Sequence, residues 1–284
     1  MSLWLDMIGA EIRMIATKSF GETRIAEAGR EHKNVIIFMH GIGGHLEAYS
    51  KNIVSLSDQF HTIAFDFVGH GKSNRLVTNY SPEMLVQHLG ELMDAMNIAK
   101  ANLSGESLGG WVAGLFASKY PERVIRLMLN TAAGLPILTD KGRQDLKNLV
   151  ELSQKAAAQG PPTYESVHNR MKWLFHVNNH EMISDELIKT RLHYYSQPGM
   201  QEVAPRVLSM IGQHDDFLIP LEKIASQTLF LWTEDNPVHD VETARRSAEK
   251  VPNAELYVMK ADAAHWPQYE AMEEFNLVTK EFFL

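Results

Sequence analysis

Ala101-Asn-Leu-Ser-Gly-Glu-Ser-Leu-Gly-Gly110 joins a short predicted strand, 101–104, to a segment, 108–119, in which apolar residues recur at three- and four-residue spacing. That pattern reads as a strand, a tight turn and a helix, with Ser107 at the turn. Gly105 and Gly109 flank the serine, where bulkier residues would block so sharp a reversal. The helix points its N-terminus at Ser107, and the Leu108 amide belongs to the first turn, whose N–H groups have no partner within the helix. Ser107 is therefore a candidate nucleophile and the Leu108 amide a candidate oxyanion donor. A glycine-rich helix start with no chemical duty is the competing reading, and the strand–turn–helix context disfavours it.

Working outward, Val35–Met39 is a continuous apolar run that ends at His40-Gly41-Ile42-Gly43-Gly44, and Thr62–Phe65 is another that ends at Asp66. Short apolar runs bounded by turn residues predict buried parallel strands. The glycines after the first let backbone approach the serine, which makes the Ile42 amide the second candidate oxyanion donor. Helical patterns fall at 83–97 and 108–119, and further strands at 101–104, 125–130, 227–232 and 255–259. Residues 5–17 and 21–28 read as a hairpin across the turn at 19–22. Strand and helix in alternation predict an α/β fold, a mostly parallel central sheet flanked by helices on both faces. Residues 135–215 break the rhythm, with helical patterns, no evident buried strand, and Gly160-Pro161-Pro162 and Gln197-Pro198-Gly199 as punctuation. They are expected to form a helical cap between two core strands, leaving 1–134 and 216–284 as the core. Among 13 histidines, His265 is selected by position, after the last strand and before the final helix, as the candidate general base.

Composition narrows the chemistry. The 284 residues are 45% hydrophobic and 22% charged, ordinary for a globular protein that buries its core without staples. With no cysteine, disulfides, thiolate metal sites and cysteine nucleophiles are excluded. A net charge of −8 argues against nucleic acid or an acidic membrane as partner, and an anionic substrate would need a local cation. No apolar run approaches the roughly 18 residues of a membrane span. The N-terminus lacks the basic and apolar regions of a signal peptide, so a cytoplasmic location is expected. Gly69-His70-Gly71-Lys72-Ser73 ends like a phosphate loop, but its required first glycine falls on Asp66. His176 and His180 share a predicted helix face without a third ligand, so neither a metal nor a cofactor is expected. The oligomeric state is open, a closed homodimer being the first expectation.

Several further segments resemble the α/β-hydrolases: Asp66-x-x-Gly69-x-Gly71-x-Ser73, Pro121-Glu122-Arg123-Val124 and Ala133-Gly134. More specifically, Ser184-Asp185-Glu186-Leu187 with Arg191, then Gln197-Pro198-Gly199, and His265-Trp266-x-Gln268 resemble the meta-cleavage product hydrolases. Members of that family hydrolyse a carbon–carbon bond in the 2-hydroxy-6-oxohexa-2,4-dienoates produced by bacterial cleavage of aromatic rings. The resemblance implies that Arg191 binds the dienoate carboxylate, with Trp266 and Gly43 also contacting substrate. It implies a ketonisation in which His265 shuttles the proton, followed by attack of Ser107 on the ketone. The sequence departs from the family at three places. Gly43-Gly44-His45-Leu46 replaces a glycine-proline-glycine, and Glu106 stands where asparagine is usual. The usual Gly-x-x-Asp reads Thr233-Glu234-Asp235-Asn236, and the gapless continuation to Asp240 puts Asn236 at the acid position with Asp235 as its rival. An asparagine there can orient the imidazole but cannot neutralise imidazolium, so His265 is expected to lack a buried anionic neighbour. Two alternatives stay open: a carboxylesterase or lactonase using the same Ser107 and His265, with no need of Arg191, and a non-catalytic ligand-binding protein on the same scaffold.

Overall fold

The apolar runs form the middle of one eight-stranded sheet with the order β1-β2-β4-β3-β5-β6-β7-β8 in the computed structural model, which describes residues 2–158 and 160–284, the side chains of 156–158 excepted. The strands are β1 (Glu11–Thr17), β2 (Gly21–Ala28), β3 (Val35–Met39), β4 (His61–Phe65), β5 (Ala101–Glu106), β6 (Val124–Asn130), β7 (Gln227–Trp232) and β8 (Ala254–Val258). The hairpin β1–β2 and the pair β2–β4 are antiparallel, and every other neighbouring pair is parallel. Every residue of β3 and β5 is buried, as a strand covered by helices on both faces must be.

The helices are α1 (Leu3–Asp6), α2 (Ser50–Ile53), α3 (Pro82–Ala95), α4 (Leu108–Lys119), α5 (Asp140–Ala158), α6 (Tyr164–Leu174), α7 (Asp185–Tyr195), α8 (Met200–Leu208), α9 (Val241–Ala248), α10 (Pro267–Glu270) and α11 (Met272–Phe283). Residues 5–10, expected to begin the first strand, do not. Ser2 Oγ accepts from the Trp4 amide and starts a helical turn, and Gly9 at φ 105° redirects the chain into β1. Leu3 and Met7, four residues apart, are the pair this turn buries, a helical spacing rather than a strand's. Residues 177–182 form a 3₁₀ turn, so His176 and His180 do not share an α-helix face as expected. His176 Nε2 instead lies 3.3 Å from Asp235, and His180 Nε2 is 3.0 Å from the Lys172 carbonyl.

Register positions the chemistry. Met39 lies beside Gly105, Glu106 beside Asn130, and Asn130 beside Leu231. The loops that follow β3, β5, β6 and β7 therefore open side by side at the carboxyl ends of the strands. Chain direction across the sheet reverses between β3 and β5, the switch point where open α/β sheets leave a crevice. Helices α5 to α8 and three 3₁₀ segments among the described residues lie between β6 and β7, and the described part of 135–215 contains no strand. No described helix is long and apolar enough to cross a membrane.

Candidate active site

Ser107 adopts φ 53° and ψ −113°, a conformation that costs a non-glycine residue energy and persists only where its surroundings enforce it. The enforcement is visible. Its amide donates to the Asn130 carbonyl at 3.1 Å, and its carbonyl accepts from the amides of Trp111 and Ala133, both at 3.0 Å. A Cβ on Gly105 would lie 2.2 Å from the Gly109 carbonyl carbon, and one on Gly109 would lie 2.1 Å from the Met39 carbonyl oxygen. Close passage of α4 over β3 and β5 thus requires both glycines. Leu108 opens α4 and is buried, while Ile42 is half-buried in the loop after β3.

His265 is buried and tied on every side. Its amide donates to the Leu174 carbonyl at the end of α6, and its carbonyl accepts from Thr131 Oγ1. The neighbouring Ala264 and Trp266 amides both donate to Glu270 Oε1, at 3.0 and 3.1 Å. Its other oxygen, Oε2, accepts from the His176 amide, joining the histidine loop to the segment after α6. Thr131 itself has φ 42°, unusual for a β-branched residue, and stands beside the Ser107 elbow.

Asn236, not Asp235, faces the imidazole. Asn236 Oδ1 accepts from the Val238 and His239 amides at 3.0 and 3.2 Å, which fixes the orientation of the amide. The same oxygen lies 3.1 Å from His265 Nδ1, so Nδ1 carries the hydrogen and donates it. The Asn236 Nδ2 is buried without a hydrogen-bond partner among the described residues. The Asp235 carboxylate is exposed and turned to His176.

The other ring nitrogen corrects one expectation. His265 has a buried anionic neighbour after all: Nε2 lies 3.2 Å from Glu106 Oε1, with both side chains about 5% exposed or less. Glu106 Oε2 is held by the Gly41 amide at 2.6 Å. Sequence reading marked Glu106 as a departure from the family but gave no direction for its side chain.

Arg191, on α7, is 4% exposed. Its Nη2 donates to the Gly43 carbonyl at 3.1 Å, its guanidinium lies 5.2 Å from the Trp266 ring centre, and its Nη1 has no partner among the described residues. Gly43, at φ 66°, also receives the Tyr195 hydroxyl at 2.8 Å, and a Cβ there would come within 2.5 Å of that oxygen. Trp266 is buried against Phe175 and Tyr269. Arg170 of α6 lies 4.7 Å from the Trp173 ring centre, and burial lowers its pKa to about 10, with Tyr195, Arg191 and Glu106 the charges that bear on it. The loops carry a strained serine, an imidazole held by Asn236 and close to a carboxylate, and a guanidinium with Nη1 unpaired among the described residues; among these residues no hydrogen bond joins Ser107 Oγ to His265, whose Nε2 lies near Glu106 instead. Tyr195, Glu270, Thr131 and the Glu106 contact were not foreseen in the sequence.

The Gly69–Ser73 turn closes on its own chain, Lys72 N donating to Asp66 Oδ2 at 2.8 Å and Ser73 Oγ to the Asp66 carbonyl at 2.6 Å. Among the described residues no three His, Asp or Glu side chains group as a metal site.

Residues 34–271 match the model of the alpha/beta hydrolase fold family. A 2-hydroxy-6-oxo-2,4-heptadienoate hydrolase from Pseudomonas putida is 28% identical over 290 residues, covering 97% of each chain. A 2-hydroxy-6-oxononadienedioate/2-hydroxy-6-oxononatrienedioate hydrolase from Escherichia coli is 26% identical, covering 87% of this chain and 86% of its own. The solved structure of a meta-cleavage product hydrolase from Pseudomonas fluorescens IP01 superposes with a TM-score of 0.80 at 26% identity, covering 95% of this chain and 97% of the other. With its elbow serine, its parallel sheet and a family match across most of its length, this chain belongs to the alpha/beta hydrolase fold family.

Proposed function

We propose that this protein hydrolyses a carbon–carbon bond in a 2-hydroxy-6-oxohexa-2,4-dienoate, with Ser107 as nucleophile and His265 as general base. The observation that carries the substrate class is Arg191, a buried guanidinium with Nη1 unpaired beside Trp266 and the histidine loop. A buried cation without a carboxylate is costly, and a planar substrate carboxylate is the ligand its fork geometry suits. The curated relatives act, by name, on dienoates that carry such a group.

In this reading residues 135–215 are the cap that brings Arg191 over Ser107 and against Trp266 of the core, and Gly43 joins that cap to the core through its carbonyl. His265 moves a proton between the dienol oxygen and the chain carbon, which turns the conjugated enol into a ketone. It then takes the Ser107 proton as Oγ attacks the 6-oxo carbon, while the Ile42 and Leu108 amides receive the oxyanion. Cleavage returns a proton to the departing carbon. Water, deprotonated by His265, releases the acyl group from Ser107.

The test is a comparison of substrates in one variant. Arg191→Ala should lower kcat/KM for a 2-hydroxy-6-oxohepta-2,4-dienoate by an amount equivalent to roughly 2–5 kcal/mol, and barely alter hydrolysis of p-nitrophenyl acetate. Equal losses on both would make Arg191 structural and favour an esterase or lactonase. The location is proposed as cytoplasmic and the assembly as a closed homodimer.

A further inference from the structure

The site contains a charge where the triad pattern does not place one. At the usual acid position Asn236 is neutral, and its Oδ1 already receives two backbone N–H groups besides the imidazole. The carboxylate nearest the ring is Glu106, on the opposite side, 3.2 Å from Nε2. Nδ1 carries the hydrogen that faces Asn236 Oδ1, so Nε2 is the nitrogen that takes up a proton, and it does so beside Glu106 Oε1. Glu106 Oε2 is spoken for by the Gly41 amide, which leaves Oε1 aimed at the ring.

We propose that Glu106 is the anionic partner of His265, supplying from the nucleophile strand the counter-charge that Asn236 cannot supply. When His265 takes the Ser107 proton, the imidazolium forms next to a carboxylate buried with it, where an opposite charge is worth far more than at a surface. The contact also explains how an asparagine is accommodated at 236: orientation of the ring and neutralisation of its charge are divided between two residues. The same atom, Nε2, must face Ser107 during reaction. Glu106 stays ionised while Nε2 accepts the Ser107 proton, so the ion pair between imidazolium and carboxylate forms at that step and is discharged when the ring gives the proton up. Glu106 acts through His265, so it is a positioning residue.

The other titratable groups around the ring are few. His239, with its ring centre 5.6 Å away, is held neutral by burial well below the usual histidine range. Glu270 accepts from the loop amides, the His176 amide and the Asn179 side chain, Asp235 is turned to His176, and Arg170 and Arg191 approach from the cap side. Glu106 is the carboxylate in contact with the ring.

The proposal rests on Ser107 and His265 being the reacting pair, and not on the dienoate. Glu106→Gln keeps an oxygen for the Gly41 amide and removes the charge. It should lower kcat on p-nitrophenyl acetate about 10- to 100-fold, less than the loss seen when the acid is replaced in trypsin, because Asn236 still fixes the tautomer. KM should change little. The acidic limb of the kcat/KM profile should move to lower pH, since protonation of the ring loses its partner. Asn236→Asp alone should change activity only a few-fold, and in the Glu106→Gln background it should restore most of what was lost. A ¹⁵N titration of the His265 ring, which needs no substrate, should show the same downward shift. Unchanged kinetics and titration in Glu106→Gln, or a loss that Asn236→Asp does not rescue, would overturn the proposal. Loss of dienoate turnover with ester turnover intact in the Arg191 variant bears on the substrate alone.

Discussion

Ser107 and Thr131 hold positive φ angles a few ångströms of sheet apart, and both are pinned by backbone hydrogen bonds to neighbouring strands. Strain of this kind is worth keeping only where a side chain must be presented at an awkward angle. Ser107→Ala should abolish turnover of the dienoate and leave its binding largely intact, checked by single-turnover absorbance and by titration of the inactive variant. Near-wild-type turnover would remove Ser107 as nucleophile. Glu270 permits a second test at this scale. Its carboxylate accepts from the amides on either side of His265, and burial raises its pKa even against those bonds. Glu270→Gln puts an NH₂ group where only acceptors fit, so stability should fall by about 1–3 kcal/mol and kcat should fall with it. Calorimetry with parallel kinetics would show a structural role alone if only the first changed. The elbow was readable because its glycines are demanded by backbone contacts that leave a pattern in the chain. His265 followed from chain order, and Asn236 from counting without a gap. Glu106 and Glu270 were not readable, since a carboxylate's identity says nothing about which way it points.

At the scale of elements, α7 is docked on the core by a buried polar network rather than by apolar contact alone. Arg24 of β2 donates Nε to Asp66 and Nη2 to Glu47, both at 2.7 Å, and Nη1 to the Tyr194 hydroxyl at 2.7 Å. That hydroxyl donates in turn to Glu47 Oε1 at 2.6 Å, and His45 Nδ1 lies 2.8 Å from Glu47 Oε2. The two carboxylates hold the Arg24 guanidinium protonated against the opposing cost of burial. Tyr194→Phe removes the one hydroxyl that bridges α7 to this network and leaves Arg24 Nη1 and Glu47 Oε1 each short of a partner. It should cost about 1–3 kcal/mol in denaturant unfolding, and it should raise KM for the dienoate more than it lowers kcat, because Arg191 lies on the same helix. No change in either would mean that the Tyr194 hydroxyl does not help to seat α7. β3 was legible because its buried residues are all apolar, whereas β5 buries Asn102, Ser104 and Glu106 and was legible from the glycine turn that follows it. The turn at Leu3–Asp6 was not, because apolar residues at 3, 5, 7 and 8 fit a strand as readily as a helix, and the Ser2 cap and the Gly9 backbone decided the matter.

For the molecule as a whole, burial lowers the pKa of several interior histidines, His45 and His239 among them, and they set how it responds to acid. His40, His70 and His88 are each no more than 2% exposed. Burial is the leading cause that lowers each from the usual 6.5 to about 3. Their bonds agree with neutrality: His40 Nε2 accepts from the Phe67 amide while Nδ1 faces the Gly41 carbonyl, and His88 Nδ1 accepts from the Val68 amide while Nε2 faces Thr23. A group with a depressed folded pKa binds its proton in the unfolded chain first, so the unfolded state holds more protons at every pH between the two values. Stability therefore rises with pH through that window, and acidification from 6.5 toward 3 favours unfolding. At pH 5 the penalty is about 2 kcal/mol per histidine, or roughly 6 kcal/mol for three, comparable with the total stability of an ordinary domain. Denaturant midpoints measured from pH 8 downward should be flat to about pH 7 and then fall steeply, well before the carboxylates titrate. His88→Gln can keep an acceptor for Val68 and a donor for Thr23, and it removes one titrating site. Whatever it costs at pH 8, it should reduce the slope of stability against pH below 6 by close to one proton, about 1.4 kcal/mol per pH unit. An unaltered slope would mean that His88 is protonated equally in both states, and the acid sensitivity would then have to come from elsewhere in the chain.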